Sequence, residues 1–147
     1  MAHDGNLSLT ARTGRGGYVI AALRGELDIA SAPGLREQLL GLLRPAISRL
    51  IIDLSAVRYA DSSGVAVLVG TGRRAGLLGG WLRLAAPSPE VARVLSATGI
   101  GQHLEIFPTV QAAITSQHLD AGAADAWPGI AGRVARTQLS RALATRA

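Results

Sequence analysis

The sequence predicts a single α/β domain on a mixed β-sheet of four to five strands with about four helices, followed by a basic C-terminal extension. Three observations lead there. Candidate strands and helices alternate along most of the chain, the pattern of a sheet joined by crossover helices. Leu50-Ile-Ile-Asp-Leu54 is a short, apolar, β-branched run with little polar alternation, as in a strand covered on both faces. And 147 residues with 48% hydrophobic and 17% charged content suit one folded domain with its own core.

The elements follow in order. Leu7, Leu9 and Ala11 alternate with polar residues, then a Gly-rich turn leads into apolar Tyr18 to Leu23, so two strands are expected, the second ended by Gly25. Ser31 offers a helix cap and Pro33 an early helical proline. Leu35, Leu39, Leu42 and Leu43 then recur on one helical face, and Pro45 closes the helix. Leu50 to Leu54 is a buried parallel strand running into a loop. The apolar Val65 to Val69 fits strand or helix equally. Its position between Leu50–Leu54 and the next strand candidate, Trp81 to Ala85, calls for a crossover, and a helix is expected over Ser63 to Ala75. Pro89 to Thr98 reads as a helix stopped by Gly99, Leu104 to Phe107 as a last strand, and Val110 to Ser116 as a last helix.

The composition shifts near Gln117. Residues 1–116 form the expected domain, and residues 117–147 an Ala/Gly/Arg-rich extension, partly helical or disordered. The domain holds 11 Arg against 8 acidic residues, whereas Gly129 to Ala147 holds four Arg and no acid. The formal charge of +5 is therefore thinly spread over the domain, and direct nucleic-acid binding is not expected. Trp81 and Trp127 are too isolated to stack bases, and Trp81 is expected in the core.

The chain has no Cys and no Lys, and its three His are scattered, which argues against a disulfide framework, a thiol nucleophile, a metal centre or another cofactor. No His lies near Ser62 in the sequence, so an enzyme is not expected. Met1 to Thr10 lacks the pattern of a secretory signal, and no apolar run approaches the roughly 18 residues needed to span a bilayer, so a cytoplasmic protein without membrane contact is expected. Gly70-Thr-Gly-Arg-Arg-Ala-Gly76 matches a dinucleotide fingerprint only loosely, because it follows a helix rather than a strand, and it reads as a helix end.

The informative stretch is Leu50 to Leu68, where Asp61-Ser62-Ser63-Gly64 opens a helix. Asp and Ser before a helix are ordinary caps. Hydroxyls at that place also face free N–H groups and the positive end of the helix dipole, where a phosphoryl group is tolerated. Ser63 is the expected cap, Gly64 keeps the loop approachable, and Asp61 shapes the turn or orients the Ser62 hydroxyl.

Gly25-Glu-Leu-Asp28, Asp61-Ser-Ser-Gly64 and Ala97-Thr-Gly-Ile100 occur in the order and spacing of a known family, and Leu7 to Ser116 resembles the STAS domain of anti-sigma factor antagonists, also called anti-anti-sigma factors. The resemblance implies a STAS-like fold and a phosphorylation site at Ser62. It places Asp28 near the phosphosite loop and assigns partner binding to Asp28, Asp61, Ser62, Ser63 and Gly64. It further implies a partner that is both anti-sigma factor and serine kinase, of the GHKL type. The unmodified protein binds that partner and frees sigma factor, phosphorylation ends the binding, and a PP2C-type phosphatase reverses it. Ala66 stands where many members have Gly. The alternative is a constitutive scaffold or interaction module without a phosphoswitch.

Overall fold

The computed structural model describes residues 6–116. Leu7–Thr13 (β1) and Tyr18–Leu27 (β2) pair antiparallel, from Leu7 opposite Gly25 to Thr13 opposite Val19. Ala32–Leu42 (α1), Arg49–Ala60 (β3), Ser62–Leu77 (α2), Trp81–Ala85 (β4), Pro89–Ala97 (α3), a 3-10 turn at Ile100–Gln102, Glu105–Phe107 (β5) and Val110–Thr115 (α4) follow. The sheet order is β1-β2-β3-β4-β5, with β2 to β5 parallel. The α/β class, the mixed sheet and the helical reading of the apolar stretch after Gly64 are borne out. The expected helical or disordered extension falls on residues 117–147, which lie outside the described residues.

Three parallel steps across the sheet in one direction place their right-handed crossover helices on one face. The packing agrees. Ile52 and Leu54 of β3 and Leu82 and Leu84 of β4 belong to the larger core cluster with Leu35 and Leu39 of α1, Val65 and Leu68 of α2, and Val91 and Leu95 of α3. Their sequence alternates, Ile51, Trp81 and Ala85, form a smaller cluster with Phe107 and with Ala113 of α4. A strand's period of two assigns the clusters to opposite sides of the sheet.

Three local expectations are corrected. Gly25 does not end β2. It sits inside the strand with φ of 118°, the register with β3 shifts on either side of it, and a Cβ there would overlap the Asn6 carbonyl. An isolated glycine in a strand here marks an irregularity and a close backbone approach. β3 does not run into a loop after Leu54 but continues to Ala60, because the shifted end of β2 goes on pairing with it through Leu27 opposite Ala60. Ser31 does not cap α1 with its side chain. Its own backbone is already helical, and its hydroxyl is used in the preceding turn.

Arg83 of β4 is a charged residue deep in the second cluster, at 1% exposure. Its guanidinium binds the Glu105 carboxylate at 3.1 Å and the carbonyls of Ala113 and Ser116 at 2.8 and 2.7 Å, and lies 3.8 Å from the centroid of the Trp81 ring. A buried cation is tolerable only when paired and hydrogen-bonded in this way. The arrangement pins the end of α4 to the sheet.

Candidate functional site

The site is assembled where two adjacent parallel strands end. Leu27 and Ala60 are partners at the C-terminal ends of β2 and β3, so Asp28 and Asp61 leave the sheet side by side. The Asp61 amide donates to the Leu27 carbonyl at 3.0 Å, which closes the two strand ends together. In open α/β sheets this C-terminal edge, where strands turn into helices, is the usual place for a functional site.

Asp61 caps α2. Its backbone is extended, with φ of −130° and ψ of 178°, and its carboxylate accepts the Gly64 amide at 3.1 Å. The expectation that Ser63 is the cap is therefore wrong. A cap must precede the first helical residue and face the amide three positions on; Ser63 is already the second residue of the helix. The carboxylate also lies where the helix dipole favours negative charge.

Ser62 is the first residue of α2 and is exposed, and among the described residues its hydroxyl makes no hydrogen bond. Ser63 is half-buried. Gly64 is buried and faces inward: a Cβ there would overlap the backbone and side chain of Leu27. The sequence reading explained this glycine by access for a partner, whereas its local constraint is the approach of α2 to the end of β2. The exposed residue one turn beyond Ser62 is Ala66.

Asp28 opens a tight reciprocal turn. Its carboxylate accepts the Ser31 amide at 2.9 Å, its own amide donates to the Ser31 hydroxyl at 3.0 Å, and that hydroxyl donates to the Glu26 carbonyl at 2.8 Å. Asp28 thus serves as a turn residue, next to the serine-bearing turn.

Two large apolar side chains escaped the sequence reading. Ile29, 73% exposed, follows Asp28, and Tyr59, 51% exposed, precedes Ala60 and Asp61. Beside them Arg58 and Glu26 form a surface ion pair at 3.7 Å. The signal for Ile29 was available: it precedes the first leucine of the α1 stripe and has no helical partner position.

His103 is remote from this edge. It precedes β5, whose Glu105 is level with Arg83 and hence with Ile51 of β3. Ala60 lies nine residues further along β3, roughly 30 Å at the rise of a strand. The fold thus brings Asp28, Asp61, Ser62, Ser63 and Gly64 together and leaves His103 near the other end of the sheet. Among the described residues no helix is long and apolar enough to cross a membrane.

This architecture and strand-end constellation define a class, and the family model described as the STAS domain matches residues 10–113. The anti-sigma-B factor antagonist of Bacillus subtilis strain 168 is 38% identical over 84 residues, covering 57% of this chain and 76% of that protein. The anti-sigma factor antagonist SpoIIAA in its unphosphorylated form superposes with a TM-score of 0.61 at 26% identity, over 73% of this chain and 93% of that one. The Bacillus cell fate determinant SpoIIAA in the phosphorylated form gives a TM-score of 0.56 at 25% identity, over 73% and 96%. The chain belongs to the anti-sigma factor antagonist family of STAS domain proteins.

Proposed function

We propose that this chain is a partner-switching anti-sigma factor antagonist whose switch is Ser62. In the unmodified state it binds an anti-sigma factor that is also a GHKL-type serine kinase, and sigma factor is released. Phosphorylation of Ser62 ends the binding, and a PP2C-type phosphatase restores it. The observation that carries this reading is the exposed Ser62 hydroxyl at the start of α2, without a hydrogen-bond partner among the described residues and beside the capping carboxylate of Asp61. The likeness to a protein with both phosphorylated and unphosphorylated structures supports it.

The physical logic is local. A phosphoryl group adds about −1.5 to −2 charges at neutral pH. The helix terminus tolerates them, so the fold persists. A partner that covered the edge would bury that charge next to Asp61 and near Asp28, and the cost of desolvating uncompensated anions would fall on binding. Ile29 and Tyr59, the chain neighbours of Asp28 and Ala60, supply exposed apolar area at the same strand ends, with Asp28, Asp61, Ser62, Ser63 and Gly64 forming the centre of the site.

The test is incubation with ATP and candidate kinases from the same genome, with phosphate mapped by mass spectrometry. Phosphate on Ser62, with Ser62→Ala retained on the kinase in the presence of ATP and Ser62→Asp released, is the expected result. No modification, or equal binding by both variants, would instead identify a constitutive scaffold.

A further inference from the structure

Helices α1 and α2 leave between them an open groove of about 640 Å³. We propose that it is a docking site for an acidic amphipathic helix of a partner protein. Leu40, Leu43 and Val67 contribute apolar lining, and Arg36, Arg73 and Arg74 contribute charge. No acidic residue lines it, and the guanidinium groups of these three arginines make no hydrogen bond or ion pair among the described residues. Three unneutralised guanidinium groups beside apolar surface call for a partner with carboxylates flanking an apolar stripe.

The shape suits a helix. Ser62, Ala66, Gly70 and Leu77 are all exposed and follow one another at four, four and seven residues, along one side of α2. Space at Gly70 is open, since a Cβ there would meet nothing within 4 Å, and Leu77 at the far end is 80% exposed. The part of this side that lines the groove, Ala66 to Leu77, is about 16 Å long at the rise of an α-helix, the length of a partner helix of about 11 residues. Charge decides against two other occupants. A second copy docking by the same face would present the same arginines, and residues 117–147 of this chain carry four Arg against two acidic residues, a net positive charge. On α2 the groove is lined from Ala66 to Leu77 and does not include Ser62, so its lining is the same whether or not Ser62 is phosphorylated.

The probe is a synthetic amphipathic peptide of about 18 residues with Leu on one face flanked by Glu, compared with a counterpart carrying Lys in place of Glu. Both are titrated into the full chain by calorimetry and by amide NMR, with no kinase present, so the result is separate from that of the phosphorylation test. The Glu peptide is expected to shift the amides of Leu40, Ala66, Gly70 and Leu77. Its affinity should fall at least tenfold in the double variant Arg73→Glu/Arg74→Glu, and the Lys peptide should gain on that variant. Gly70→Trp, which fills the groove from an exposed helical position, should abolish binding with an unchanged circular dichroism spectrum. Equal affinity for the two peptides, shifts confined to the residues around Ser62, or full binding by folded Gly70→Trp would overturn the proposal. So would stronger shifts of the same amides by ATP or inorganic phosphate at equal concentration, which would mark the groove as a small-anion site.

Discussion

The amide of Asp61 is hydrogen-bonded to the carbonyl of Leu27 at 3.0 Å, so the turn that carries Ser62 is fastened to the strand end that carries Asp28. The contact is backbone to backbone and leaves the acidic side chains to other tasks. Asp61 uses its carboxylate on the Gly64 amide and Asp28 on the Ser31 amide. The position of Ser62 is therefore set by two strands and a cap, and its hydroxyl takes no part in holding the site together. A group with no structural duty can be modified without unfolding its surroundings.

Gly64 is the residue this junction can least afford to change. Gly64→Ala would force a methyl group into the carbonyl and side chain of Leu27, and a loss of about 1–3 kcal/mol is expected from overpacking. Gly70→Ala, in the same helix but open to solvent, should instead stabilise by up to about 1 kcal/mol. Urea denaturation of both variants checks the pair, and a Gly64→Ala protein as stable as the parent would show that α2 can move away from β2 at little cost.

Asp61 and Ser63 separate cap from helix. Asp61→Ala should lose about 1 kcal/mol, while Asp61→Asn keeps an acceptor for the Gly64 amide and should stay within a few tenths of the parent. Ser63→Ala should be close to neutral. Thermal melts decide this, and a larger loss at Ser63 than at Asp61 would return the cap to the serine.

Much of this architecture was legible in the sequence. The parallel core strands were readable because a strand covered on both faces carries an unbroken apolar run, as Leu50 to Leu54 does. The helix after Gly64 was readable only through topology, since the residues alone suited either state. The strand ends were not readable. Ser55 to Ala60 mixes polar, small and apolar residues without alternation, because the register shifts opposite Gly25 turn successive side chains of β3 off the regular pleat. The candidate site lies at the end of this irregular stretch, so the motif could be named from sequence while its cap, its junction with Leu27 and the exposure of Tyr59 could not. The clustering of Arg36 with Arg73 and Arg74 was equally hidden, because it depends on how α1 lies against α2.

Arg83 and Arg58 give a contrast in ion-pair energetics. Arg83→Met would leave the Glu105 carboxylate and the carbonyls of Ala113 and Ser116 without the guanidinium that binds them in the interior, and a loss of about 3–5 kcal/mol is expected. Arg58, whose pairing with Glu26 at 3.7 Å is largely solvent-exposed, should cost under about 1 kcal/mol when changed to Ala. Chemical denaturation of the two single variants measures the difference. Comparable losses would mean that Glu105 and the end of α4 readjust when the guanidinium is removed.

Ser62→Asp tests whether the proposed switch would act on binding or on the fold. The new carboxylate would sit in the first turn of α2, where the helix dipole contributes about 0.3–1 kcal/mol in its favour, and beside Asp61, whose like charge opposes it. The two effects are of similar size, so stability should change by less than about 0.5 kcal/mol, in line with an exposed substitution. Over the same substitution, affinity for the anti-sigma partner should fall at least tenfold, because only the complex must bury the added charge. A melting curve and a binding isotherm on the same preparation separate the cases. A large drop in stability that tracks the loss of affinity would relocate the effect from the interface to the α2 junction itself, and the reading of Ser62 as a group free of structural duty would fail.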